Sequence, residues 1–265
     1  MAAWEPSAGK DWVNFYDKWR GSAEDLHSSN RSQALFLGPL LNGFDSDIGS
    51  SIFIRDSYLT MFDTVWAQAI DSRGRNGVVI IGQPGVGAYL LSHIRYRLSS
   101  IVYEGKTLFN FYLLVRLLQR NQVVLFSLDG NLLRLFYFGK VYQAFAPDVE
   151  DKLPTPKSSS GVRVFIWSLF DIAKKEEPMR YLYNLPCCPV QTASPDPIRY
   201  KTWRKERRPL TVGLPVWTRA ELAQGYVLIT RTCPCLSIHY PGWNTTPFTP
   251  PWWRRFARSF WIRMF

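Results

Sequence analysis

Gly77-Val-Val-Ile-Ile81, running straight into Gly82-Gln-Pro-Gly-Val-Gly87, is the stretch that decides the fold class. The first five residues are apolar and mostly β-branched, which predicts a short buried strand. Gly82, Gln83, Pro84, Gly85, Val86 and Gly87 match the first six positions of a phosphate-binding loop, G-x-x-x-x-G-K-[ST]. The lysine and the hydroxyl residue do not follow at once. Residues 88–104 intervene, and only then come Gly105-Lys106-Thr107 and the helix-forming run Leu-Phe-Asn-Phe-Tyr-Leu-Leu-Val-Arg-Leu-Leu-Gln119. With residues 88–105 removed, the chain reads Gly-Gln-Pro-Gly-Val-Gly-Lys-Thr between a strand and a helix.

The chemistry requires each part. Glycines let the backbone turn so that successive N–H groups converge on phosphate oxygens. The following helix adds the positive end of its dipole. The lysine, Lys106, would reach the β- and γ-phosphates, and the hydroxyl of Thr107 would hold Mg²⁺. Three readings of the interruption compete. Residues 88–105 are a translated intron, in which case the glycines at both junctions are the two halves of one split codon. They are a real insertion that loops out and lets Gly105, Lys106 and Thr107 close the site. Or the two half-motifs coincide by chance, which leaves the agreement of strand, glycines, Gly-Lys-Thr and helix unexplained.

The 265 residues carry a net charge of +11, with 46% hydrophobic and 20% charged residues, a composition that fits a globular core rather than a disordered chain. Basic excess suits phosphate-bearing partners and equally suits a solvated surface. Cys187, Cys188, Cys233 and Cys235 have neither a disulfide framework's pattern nor a zinc site's C-x-x-C spacing, so reduced intracellular thiols are expected. The first residues have no basic region followed by an apolar run, so no secretory signal is expected. No apolar run is long enough for a membrane span. An intracellular location, cytoplasmic or nuclear, follows as the expectation.

Residues 1–50 are weakly patterned, with one amphipathic helix over Trp12-Val-Asn-Phe-Tyr-Asp-Lys-Trp19. Residues 51–71 show helical spacing through Phe53, Tyr58, Met61, Phe62, Val65, Trp66 and Ala69. Residues 122–127 predict the strand after the loop helix. Asp129-Gly130 marks a turn, and residues 132–138 a further strand. Arg163-Val-Phe-Ile-Trp-Ser-Leu-Phe-Asp171 fits a buried parallel strand with an acid at its carboxyl end, where open α/β sheets place ligand groups. Behind a phosphate loop, Asp171 becomes the catalytic acid that holds the Mg²⁺ shell together with Thr107, with the strands at 163–170 and 77–81 expected to be neighbours and both carboxyl ends on one edge. Residues 187–195 predict another core strand ending in small polar residues. Thr192 or Ser194 there would sense the γ-phosphate, or simply end a strand before a proline turn.

Arg199-Tyr-Lys-Thr-Trp-Arg-Lys-Glu-Arg-Arg208 interleaves cations and aromatics, as a nucleic-acid contact or an ordinary solvated segment would. Thr218 and Glu221 have the spacing of a capping box. Residues 229–265 form a basic, aromatic tail with no stable periodicity. It reads as a membrane-surface or RNA-binding tail, or as translated non-coding sequence. The expected fold is a parallel sheet flanked by helices, with residues 51–228 as the core.

Several of these pieces together resemble one group. They are Phe53-Ile-Arg-Asp-Ser-Tyr58, the Gly82 loop, Gly105-Lys106-Thr107 with its leucine-rich helix, Phe165 to Asp171, Pro189 to Pro195, and Trp217-Thr-Arg-Ala-Glu-Leu222. The group is the fungal multicopy P-loop proteins similar to Crinkler effectors and retrotransposon hot spot proteins. The resemblance implies an ATPase core of the AAA/STAND kind, with ATP and Mg²⁺ held by Lys106, Thr107 and Asp171. The chain departs from the group in its split loop and in the tail that replaces the helical lid after residue 226. A non-catalytic interaction or effector-like protein that keeps the fold is the alternative.

Overall fold

The computed structural model describes residues 4–6, 9–26, 34–37, 51–82, 105–128, 130–145, 153, 165–171, 178–184, 186–218 and 220–221. Gln83, Pro84, Gly85, Val86, Gly87, the body of the insert at 88–104, Asp129 and the tail at 229–265 lie outside the described residues. Contacts divide the chain into units 1–232 and 233–265, and the described residues all belong to the first.

The chain opens with β1 (Glu5–Pro6) and α1 (Lys10–Trp19), followed by a small antiparallel pair of β2 (Ala34–Phe36) and β3 (Ser51–Phe53). Helix α2 (Asp56–Asp71) then leads to β4 (Val78–Ile81), the strand that precedes the glycine loop. The expected helix over 51–71 therefore starts five residues later, behind a strand. Gly77 enters β4 at φ +77°, and a Cβ there would collide with the carbonyl oxygen of Pro189, so only glycine fits this close approach.

Helix α3 (Gly105–Gln119) forms the centre of the core of the described residues. Phe109, Phe111, Tyr112, Leu113, Leu114, Val115, Leu117 and Leu118 are all buried, on every side of the helix. A helix that is apolar all round must be covered all round. The sheet covers one side, and α2 covers another through Tyr58, whose ring lies 5.0 Å from Phe109 and 5.5 Å from Tyr112. Helix α1 sends Trp12 to 5.8 Å from Phe126 and 6.0 Å from Phe136.

The remaining elements are β5 (Val124–Ser127), β6 (Leu132–Tyr137), β7 (Lys140–Phe145), β8 (Ile166–Asp171), α4 (Arg180–Tyr183), β9 (Cys187–Ala193), a 3-10 turn (Pro197–Tyr200), α5 (Lys201–Arg207) and β10 (Leu210–Gly213). One eight-stranded sheet has the order β1-β7-β6-β5-β8-β9-β4-β10. The four strands expected to be parallel are parallel: β5 with β8, β8 with β9, and β9 with β4, and β10 adds a fifth beyond β4. The sheet as a whole is mixed rather than parallel, because β6, β7 and β1 continue it antiparallel on the far side of β5. A second correction concerns neighbours. The strand ending in Asp171 was expected beside β4, but β9 lies between them.

A buried arginine and a half-buried one fasten the loops around this sheet. Arg207, at the end of α5, donates to the carbonyls of Gly74 at 2.9 Å and Cys187 at 2.8 Å, and also to those of Tyr183 and Arg75. Arg55, just before α2, donates to the carbonyls of Pro215 and Val216, both at 2.9 Å, and grips Glu221 through two bonds of 3.0 and 3.2 Å. Its guanidinium also lies 4.8 Å from the Trp217 ring. Glu221 closes the capping box: its carboxylate accepts from the Thr218 N–H at 2.7 Å, and its own N–H donates to the Thr218 hydroxyl at 3.2 Å.

Replacing Arg207 with Met should lower unfolding free energy by about 2–3 kcal/mol, since several buried carbonyls lose a charged donor. Lysine should recover less than half of this, because it lacks the planar fork. Urea titration checks both. At Glu221, burial alone would raise the carboxyl value, but the hydrogen bonds from Arg55 and Thr218 outweigh it and hold the value below the ordinary one near 4.5. A lowered folded value means that the ion pair's contribution is full above the ordinary value and is lost as pH falls through the folded one. The stability gap between wild type and Glu221→Gln should thus be constant above about pH 5 and close on acidification. A gap independent of pH would contradict the assignment.

Candidate functional site at the carboxyl edge of the sheet

Neighbouring strands β4 and β9 send their following helices to opposite faces. Helix α3, after β4, packs with Val78 and Ile80, while α5, after β9, packs through Trp203 with Val79 and Ala193. The divergence falls at the carboxyl ends of the two strands, the position where open α/β sheets bind ligands.

Groups from four segments meet there. Gly82 follows β4, and Lys106 occupies the first turn of α3. Although 24 positions apart in sequence, the Lys106 ammonium donates to the Gly82 carbonyl at 3.3 Å. The lysine stem lies so close that a Cβ on Gly82 would sit 3.1 Å from its Cγ and 3.3 Å from its Cδ. The chain that leaves β4 therefore returns to the same place to begin α3. Gly105 is the first residue of that helix. The separation of Gly87 from Gly105, and the placement of Lys106 over Gly85 to Gly87, lie outside the described residues.

Thr107 donates its hydroxyl hydrogen bond to the Asp171 carboxylate at 2.7 Å. The two groups thus lie within hydrogen-bond distance, even with β9 between the two strands. Alternation explains it. Trp167 and Leu169 belong to the core on the α3 side of the sheet, so Asp171, two residues on, turns to the same side.

Strand β9 presents Thr192 to the same helix. The Thr192 hydroxyl accepts a hydrogen bond from Asn110 Nδ2 at 2.8 Å, and both residues are fully buried. The neighbouring Gln191 faces the opposite way, accepting from the Trp203 indole at 2.7 Å and donating to the Arg199 carbonyl at 3.1 Å. Of the two residues read as phosphate sensors, Thr192 is engaged inside the core and Ser194 is half-buried beyond the strand end. Asn110 is the site residue that motif matching misses. Its one sequence signal is an amide within an apolar helix, three positions after Thr107.

The basic segment at 199–208 sorts by helical face. Tyr200 and Trp203 are buried and Arg207 is committed to backbone carbonyls, while Lys201, Arg204, Lys205 and Arg208 are exposed. Its aromatic rings are thus core groups and offer no stacking platform. Burial pushes the Cys187 and Cys188 thiols up to about 12, partly offset by Arg207, which favours their protonated form. Among the described residues, no group of three or more His, Cys, Asp or Glu is placed to hold a metal ion by itself, and no helix is long and apolar enough to cross a membrane.

A scan of family models, a search of curated proteins and a search of solved structures each find no match to this chain.

Proposed function

We propose that this chain carries an ATP-binding, P-loop NTPase-like domain of the AAA/STAND kind, similar to the Crinkler-like and retrotransposon hot spot-like proteins. The observation that carries the reading is the meeting of Lys106, Thr107 and Asp171 at the end of β4, from segments far apart in sequence. The oxygen donors Thr107 and Asp171 suit a hard cation such as Mg²⁺, with the phosphates and water completing its shell. Bound Mg²⁺ would neutralise charge between the β- and γ-phosphates.

The chain's own residues supply the rest. The first turn of α3 directs its free N–H groups and positive dipole end at the phosphates. Lys106, now bonded to the Gly82 carbonyl, would bind phosphate oxygens. Thr107 and Asp171 would hold the ion, which would supply charge neutralisation at the phosphates. Ser194, beyond Thr192, would sense the γ-phosphate. Gln83, Pro84, Gly85, Val86 and Gly87 complete the nest in this reading.

The interruption at 88–105 favours a second reading, in which the chain keeps the fold and binds partners without turnover. Two measurements separate the readings. Mg·ATP affinity should fall about 10- to 100-fold in Lys106→Ala, the loss expected for a charged hydrogen bond. In Asp171→Ala the affinity should lose its dependence on Mg²⁺. Deleting residues 88–105 should tighten Mg·ATP binding and raise hydrolysis. Binding without hydrolysis in both forms supports the non-catalytic reading, and affinity indifferent to both substitutions rules out the nucleotide site.

A further inference from the structure

We infer that Asn110 is a positioning residue that locks the carboxyl end of β9 to the first turns of α3 and thereby sets where Ser194 stands relative to the terminal phosphate. The inference rests on the nucleotide-site reading and adds a device to it.

A polar side chain at this position costs stability. Asn110 is fully buried in a helix whose neighbours are Phe109, Phe111, Tyr112 and Leu113, and its Oδ1 has no hydrogen-bond partner among the described residues. Leaving an amide oxygen unpaired in the core carries a desolvation cost that an apolar residue would avoid. What the amide supplies instead is direction. Thr107 and Asn110 are three positions apart, so they share a face of α3. Thr107 bonds Asp171 on β8, and Asn110 bonds Thr192 on β9. Asp171 and Thr192 are paired in register across the two parallel strands. One helical face is thus tied to two adjacent strand ends at the same level.

The two ties differ in what a nucleotide does to them. The Thr107–Asp171 bond joins the two groups that would share the cation, so it is exchanged when Mg·ATP binds. The Asn110–Thr192 bond involves neither group and persists, keeping helix and strand in register while the first bond is given up. Gln191 is held from the other face by Trp203 and Arg199, which fixes the strand against rotation. Ser194 is the first residue past the end of β9, two positions after Thr192, so the bond at Thr192 holds the strand end from which the chain carries Ser194.

Discrimination between ATP and ADP is the readout that a purely structural role would leave unchanged. In the full chain, Asn110→Ala and Thr192→Val should each reduce the ratio of Mg·ATP to Mg·ADP affinity about three- to tenfold, with Mg·ADP affinity nearly unchanged. The double variant should be no worse than either single one, because both remove one bond. Thr192→Ser, which keeps the hydroxyl, should restore the ratio. If Asn110→Ala fails to fold, Thr192→Val and Thr192→Ser carry the test alone. An unchanged ratio in Thr192→Val, in a protein whose Mg·ATP binding still depends on Lys106, overturns this inference and leaves the nucleotide site standing. Failure of the wild-type chain to bind Mg·ATP overturns both.

Discussion

The hydrogen bond from Thr107 to Asp171 is the constraint on which the arrangement of the carboxyl edge depends. It joins the first turn of the central helix to the end of a strand that is not even the neighbour of β4. For that bond to form, α3 must begin at the end of β4, run across the α3-facing side of β9 and β8, and point its N-terminus at the carboxyl edge of the sheet. The packing below it leaves little freedom to do otherwise, because α3 is buried on every side between the sheet and helices α1 and α2. The polar contacts at its first turns therefore sit at one end of a helix that is held rigidly by apolar surface, each buried large side chain contributing about 1.5–3 kcal/mol.

Polar groups in so apolar a setting persist because each has a directional role. Lys106, Asn110, Gln191 and Thr192 are all buried, and each bonds a group on another segment of the chain. Arg55 and Arg207 do the same at the periphery, where one guanidinium satisfies several carbonyls that no secondary structure pairs. The Arg55 clamp has an architectural consequence. It binds the segment that leaves β10 to the segment that enters α2, so these two segments are fixed relative to one another. Leu214 of that segment lies against Gly82 itself, 3.6 Å from where a Cβ would stand.

Much of this was legible in the sequence wherever a segment is buried on both faces. Continuous β-branched or aromatic runs marked β4, β5, β8 and β9, and their parallel pairing followed from the absence of a wet face. Helix α3 announced itself by apolar residues all round, and Lys106, Thr107 and Asp171 by motif and strand-end position. Three features were hidden for physical reasons. Strand β10 is only four residues long, half-buried at the sheet edge and ended by glycine, so its local pattern is weak. Strand β7 follows a turn at Phe138–Gly139 in which Phe138 adopts φ +40°, a conformation that the sequence does not advertise as Asn-Gly would. The order β8-β9-β4 depends on which crossover helix covers which face, and no local pattern encodes that choice. Asn110 and Arg55 were invisible as functional candidates because their roles lie in partners 82 and more than 150 positions away.

The most direct measurement of the central claim is electron paramagnetic resonance of Mn²⁺ titrated into the chain with and without ATP. A cation held by Thr107, Asp171 and nucleotide phosphates predicts one tightly bound Mn²⁺ per chain that appears only when ATP is present and disappears in Thr107→Val. Mn²⁺ that stays free in the presence of ATP, or binds equally well without Thr107, would contradict the account.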